Sequence, residues 1–144
     1  MKSFEVERFA QAPVEAVWAL VADFTGSSPY NPYSVRSADS GPVGLGWTFE
    51  CKTPTGLGSA SDRLKVTRWT PPSGGLGAFS LRRTGAKVSG WCDVTFTPHP
   101  RGCRISWREE VRPSGLGGDG AQERAVTKAL KRAVAEAEAT HRAR

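Results

Sequence analysis

From about residue 33 to residue 112 the chain shows no helical period. It runs instead as short stretches of alternating apolar and polar residues, cut apart by glycine and proline. Period-two alternation marks strands with one buried face. The pattern predicts strands at 34–39, 45–52, 59–69, 77–84, 86–97 and 102–112. Loops are expected at 40–44, 53–58, 70–76 and 98–101, with a tight turn at Gly85. Strands that follow one another through short connections form an antiparallel meander.

The hairpin around 98–101 fixes which face is which. If Thr97 lies opposite Gly102, the pairs are Phe96/Cys103, Val94/Ile105, Cys92/Trp107, Gly90/Glu109 and Val88/Val111. That face is apolar or sulfur-bearing except at Glu109. The other face carries Arg104, Ser106, Arg108, Glu110 and Arg112 against Thr95, Asp93, Trp91, Ser89 and Lys87. A slip of one residue would mix the two sets. Extending the phase across the sheet points Trp47, Phe49, Cys51, Leu64, Val66, Phe79, Leu81 and Trp107 inward.

Helices flank these strands. Residues 3–10 alternate as a strand, and residues 11–24 then carry Val14, Val17, Trp18, Val21 and Phe24 at helical spacing behind Pro13. A short second helical turn is expected within 25–32, despite Pro29 and Pro32. After a glycine-rich break at 113–120, with Asp119 as a candidate cap, residues 121 to about 141 form a long helix. Its apolar side holds Val126, Leu130, Ala133, Val134 and Ala137, mostly small residues. No repeat or second domain is visible, so 1–144 reads as one domain.

Composition narrows the function. The net charge is +6, yet Lys and Arg are dispersed, and Glu123, Glu136 and Glu138 interrupt the most basic stretch. No nucleic-acid partner is expected. No run approaches the roughly 18 apolar residues of a membrane span. Glu5, Glu7 and Arg8 break any secretory pattern, so a cytoplasmic location is expected. Three cysteines, Cys51, Cys92 and Cys103, have no CxxC spacing and read as free, partly buried thiols. Of the two histidines, His99 sits in a Pro-His-Pro turn and His141 near the C-terminus, which disfavours a nucleophilic triad. No metal or nucleotide motif is present, and no cofactor is expected.

Three segments carry a family resemblance. Ala12-Pro13-Val14-Glu15-Ala16-Val17-Trp18 resembles the opening-helix motif of the START-like superfamily, whose members include Bet v 1 relatives and polyketide cyclase/dehydrase and lipid-transport proteins. Tyr30-Asn31-Pro32 resembles the Trp-Asn-Pro of many members, with Tyr in place of Trp, and Gly90-Trp91 to Trp107-Arg108-Glu109-Glu110 resembles the last hairpin. The resemblance implies an α+β helix-grip fold. A curved antiparallel sheet of about seven strands would wrap a long C-terminal helix, with two short helices after the first strand. It also implies an internal cavity for an apolar or aromatic small molecule. The inward aromatic residues, opposite a helix face of small ones, are consistent with such a space, although the same side chains could fill one another as core.

The expected ligand-binding residues are Tyr30, Tyr33, Trp47, Phe49, Leu64, Phe79, Leu81, Arg83, Trp107, Leu130 and Val134. Strand parity gathers the loops at 53–58, 84–86 and 113–120 at one end, the expected mouth. Asp62, Arg83 and Glu109 share the inward phase and must be paired, neutralised or solvated there. Two functions follow as alternatives to a structural role for these charges. One is binding of a hydrophobic, aromatic or polyketide-like molecule, with Arg83 or Glu109 orienting it. The other is an aromatase/cyclase or dehydratase in which Glu109 moves a proton while Arg83 or Tyr30 stabilises an enolate. A third possibility is an interaction module with a vestigial cavity. Neither the ligand nor the oligomeric state is legible.

Overall fold

The computed structural model describes residues 2–26, 28–55, 58–85, 89–112 and 120–142. In chain order the elements are β1 (Lys2–Ala10), α1 (Val14–Val21), β2 (Ser34–Ala38), β3 (Thr48–Thr55), β4 (Gly58–Thr70), β5 (Gly77–Arg83), β6 (Ser89–His99), β7 (Gly102–Arg112) and α2 (Ala121–Arg142). The seven strands make one antiparallel sheet in the order β1-β7-β6-β5-β4-β3-β2. β1 and β2 thus lie at opposite edges, so the segment carrying α1 crosses the sheet's full width.

α2 lies against β1, β3 and α1. β1 and β3 are five strand positions apart, about 24 Å along a flat sheet, whereas a helix is only about 10–12 Å across. Both contacts are met because the sheet bends around the helix. Val126, Ala129, Leu130, Ala133 and Ala137 form the buried stripe, and the small residues let the helix sit close. At its far end Glu138 accepts the Gln11 N–H at 2.8 Å, which ties α2 to the corner between β1 and α1.

The β6–β7 register departs from expectation. His99 pairs with Gly102, giving Phe96/Ile105, Val94/Trp107, Cys92/Glu109 and Gly90/Val111. The turn is Pro100-Arg101 alone, and β6 continues through His99. The displacement is two residues, which in a period-two structure changes every partner but no face. Gly90 accordingly faces Val111 and makes no space for Glu109. Its own requirement is different: at φ +135°, a Cβ there would lie 2.0 Å from the Glu110 carbonyl oxygen.

The second short helix is not found. Among the described residues between α1 and β2 there are only turns and bends. Pro29 and Pro32 withhold two amide hydrogens, and Asn31 takes over the end of α1. Its Nδ2 donates to Asp23 O at 2.7 Å and Val21 O at 3.4 Å, while Oδ1 accepts from Tyr33 N at 3.1 Å. Strand boundaries shift as well. β3 begins at Thr48, after a turn closed by Trp47 N to Gly44 O at 3.1 Å, and β3 and β4 extend to Thr55 and from Gly58.

A β-bulge supplies a contact that alternation alone misplaces. Val66 pairs with Leu81 and Arg68 with Ser80, leaving Thr67 as the extra residue. Strict alternation would send Trp69 outward with Arg63 and Lys65. The bulge turns it inward, 5.0 Å from Trp18 and 6.3 Å from Phe79 between ring centroids.

Candidate functional site

Register aligns one transverse row on the inner face. Leu81 is opposite both Val66 and Cys92, Cys92 is opposite Glu109, and Glu109 is opposite Phe4. Trp47 closes the row through the Val66 N–H, which donates to its carbonyl at 2.8 Å. The next row toward the β5–β6 turn places Phe49, Leu64 and Arg83 side by side. One step further, Asp62 stands opposite Cys51. The inward phase read from the sequence thus brings Asp62, Arg83 and Glu109 together.

Arg83 lies between the two acids. Its Nη1 donates to Asp62 Oδ2 and its Nη2 to Glu109 Oε2 at 2.6 Å, with Arg83 and Glu109 side chains each 1% exposed. Asp62 Oδ1 also accepts the Arg63 N–H at 2.9 Å. Burial works against the guanidinium's charge, but Glu109, with Tyr33 and Asp62, outweighs it and holds the pKa above the usual arginine value. The other carboxylate oxygen of Glu109 accepts from Trp107 Nε1 at 2.9 Å and Gln122 Nε2 at 3.4 Å. Glu109 is therefore an acceptor on both oxygens, not a lone acid in an apolar pocket.

Tyr33, positioned by Asn31, donates its hydroxyl to the Cys92 sulfur at 3.6 Å. Burial, then Cys92 and Glu109, push the phenol's pKa well up. Burial likewise raises the Cys92 thiol far above its ordinary value, so the sulfur stays protonated and is a poor nucleophile.

The expected apolar lining is partly a set of mutual contacts. Phe49 meets Tyr33 at 5.5 Å and Trp47 at 5.7 Å, and Trp107 meets Tyr33 and Phe79 at 6.0 Å each. Phe49, Leu64, Phe79, Leu81, Trp107 and Leu130 are fully buried, whereas Tyr30 and Val134 are half-buried at the margin. Phe24 stacks on Phe49 at 5.2 Å, and Trp18 and Trp69 extend the cluster. Trp69 was not legible as an inward residue because no residue type announces a bulge.

Gln122 was also missed, although it lies one turn before Val126 on the buried stripe of α2. Its Oε1 and the Trp47 Nε1 are buried without a hydrogen-bond partner among the described residues. Among those residues no group of three or more His, Cys, Asp or Glu is arranged to hold a metal ion. The alternation of strands puts Thr55, Gly58, Thr84 and Gly85 at one end of the sheet, the end where the sequence reading expects a mouth. The loop residues 56, 57, 86–88 and 113–119, including the candidate cap Asp119, lie outside the described residues.

Known proteins support the fold. A protein of Deinococcus radiodurans has a crystal structure that superposes with a TM-score of 0.66 at 21% identity, covering 97% of this chain and 99% of that one. A Chromobacterium violaceum protein also gives 0.66, at 15% identity, over 96% and 99% of the two chains. The di-domain ARO/CYC StfQ from the steffimycin biosynthetic pathway gives 0.65 at 18% identity, over 96% of this chain and 51% of StfQ. A search of curated protein sequences returns no match. A family profile described as polyketide cyclase / dehydrase and lipid transport matches residues 1–142. With a seven-stranded antiparallel sheet bent around a long C-terminal helix, and with that match, the chain belongs to the polyketide cyclase/dehydrase and lipid-transport family.

Proposed function

We propose that this protein binds one hydrophobic small molecule, aromatic or polyketide-like, on the inner face of the sheet. Aromatic side chains contact its body, and the Arg83–Glu109 region orients its polar group. Family membership implies a hydrophobic ligand. The observation that carries the finer reading is the position of Arg83, held between Asp62 and Glu109 within an interior of mostly aromatic and aliphatic side chains. Desolvating such charges costs several kcal/mol per ion before pairing offsets it. Apolar residues of similar volume would serve a purely structural core as well, so a retained buried network fits a polar group to be oriented.

Binding is favoured over proton transfer by Glu109. Both of its oxygens accept N–H groups, and a catalytic cycle would have to break the pair with Arg83. The Tyr33 hydroxyl is engaged as a hydrogen-bond donor to the Cys92 sulfur.

Calorimetric titration with a naphthol, an anthraquinone and dodecanoate tests this reading. Saturable binding of one molecule per chain to at least one probe is expected, with a change in tryptophan fluorescence. Failure of all three probes, with no adduct in native mass spectra of freshly purified protein, would overturn it.

A further inference from the structure

We infer that Gln122 selects ligands carrying a hydroxyl hydrogen-bond donor, a specificity that rests on the binding function proposed above. Oxygen and nitrogen of a carboxamide are assigned from what they face. Here one side faces Glu109 Oε1 at 3.4 Å, and Glu109 is already bound to the Arg83 guanidinium through its other oxygen. A carboxylate only accepts, so the NH₂ group must be the side turned toward it. The amide oxygen is thereby committed to the opposite direction as an acceptor.

That oxygen has no donor among the described residues, in a residue only 3% exposed. Two donors of the same site are engaged elsewhere: Trp107 Nε1 is bound to Glu109, and the Tyr33 hydroxyl to Cys92 sulfur. A buried acceptor left unmatched costs about 1–3 kcal/mol, so such sites are normally completed by water or by a ligand. An aliphatic chain, an ether or a bare carbonyl offers this oxygen no hydrogen. A phenol or enol hydroxyl does. Trp47 Nε1, also buried and without an acceptor among the described residues, suits a carbonyl or ether oxygen elsewhere on the same molecule. The ligand class that matches is a hydroxylated aromatic or enolised ketone.

A naphthol and its methyl ether provide the test, because they differ in the donor and little in apolar area. Calorimetry on the full chain should show the naphthol binding about tenfold more tightly, the worth of one buried hydrogen bond. Gln122→Met should erase that preference, because it removes the acceptor for the naphthol hydroxyl, whereas the Nε2 bond to Glu109 Oε1 that it also removes is lost equally for both probes. Retained ether binding also reports that the variant is folded. Equal affinities of the unsubstituted protein for the two probes would refute the selection by Gln122, as would a tenfold preference that persists in Gln122→Met. If neither probe binds the unsubstituted protein while dodecanoate does, the hydroxyl inference fails and the hydrophobic-ligand reading stands. If no apolar probe binds, it is that underlying reading which fails.

Discussion

Arg83 and Glu109 meet across the inner face of the sheet, Nη2 to Oε2 at 2.6 Å, with both side chains removed from water. They belong to β5 and β7, separated by β6, so the pair spans a strand. In β6, Gly90 pairs with Arg83 and Cys92 with Glu109, and the two long charged side chains reach each other across that strand. Removing the cation would strand two buried carboxylates. Arg83→Met should therefore destabilise the protein by about 3–5 kcal/mol. The triple variant Arg83→Met, Asp62→Asn, Glu109→Gln should recover much of that loss, because no net charge is left buried. Urea unfolding of the two variants checks the order.

Alkaline pH should weaken the fold through its thiols and through Tyr33. The native pKa of Cys92 is raised by burial, and that of Cys103 is pushed up to about 11, also chiefly by burial. An acid whose pKa is higher folded than unfolded keeps its proton in the native state while the unfolded chain loses it. Its stabilisation is complete below the unfolded value near 9 and is lost as pH rises toward the native value. The urea midpoint should fall between about pH 9 and pH 11, and less steeply in Cys103→Ala. A flat profile over that range would contradict the burial of these thiols.

Gly90 tolerates no side chain. An alanine Cβ would sit 2.0 Å from the Glu110 carbonyl oxygen, at a φ of +135° that L residues rarely adopt. Gly90→Ala should lower stability by more than about 2 kcal/mol through backbone strain. Gly44→Ala, where nothing lies within 4 Å, should change it by under about 0.5 kcal/mol. Paired thermal melts distinguish the two.

Asn31 links the end of α1 to the site. Its side chain engages Val21 O, Asp23 O and Tyr33 N, so Asn31→Ala leaves buried or half-buried backbone groups unpaired. A loss of about 2–4 kcal/mol is expected from these bonds together. Freed from Asn31, Tyr33 should also position less well, weakening binding of an aromatic probe. Asn31→Asp keeps only the acceptor half and should restore part of the stability. Calorimetric titration alongside denaturation measures both effects.

Some of this was readable in the chain and some was not, for reasons that particular residues make plain. Alternation put Asp62, Arg83 and Glu109 on the inner face, because side chains in a strand have no third direction. Even a register displaced by two residues preserved that result, since Cys92 and Gly90 share a face. The meander and the long helix with a face of small residues were legible as pattern, and the helix grip that joins them came from the resemblance of three segments to the START-like superfamily. Partnership depended on more than phase. That Glu109 answers Arg83 and Cys92 rather than Gly90 was decided by a turn of two residues at Pro100-Arg101. Trp69 points inward only because Thr67 is an extra residue in β4, a backbone event with no side-chain signature.

Element order, the inward and outward faces and the presence of buried charge are written in the chain, because all of them rest on periodicities of two and 3.6 residues. Which charge meets which, how Asn31 replaces a second helix and the buried acceptor left on Gln122 emerge from the folded arrangement. Those outcomes depend on distances between segments far apart in the chain, which local periodicity does not encode.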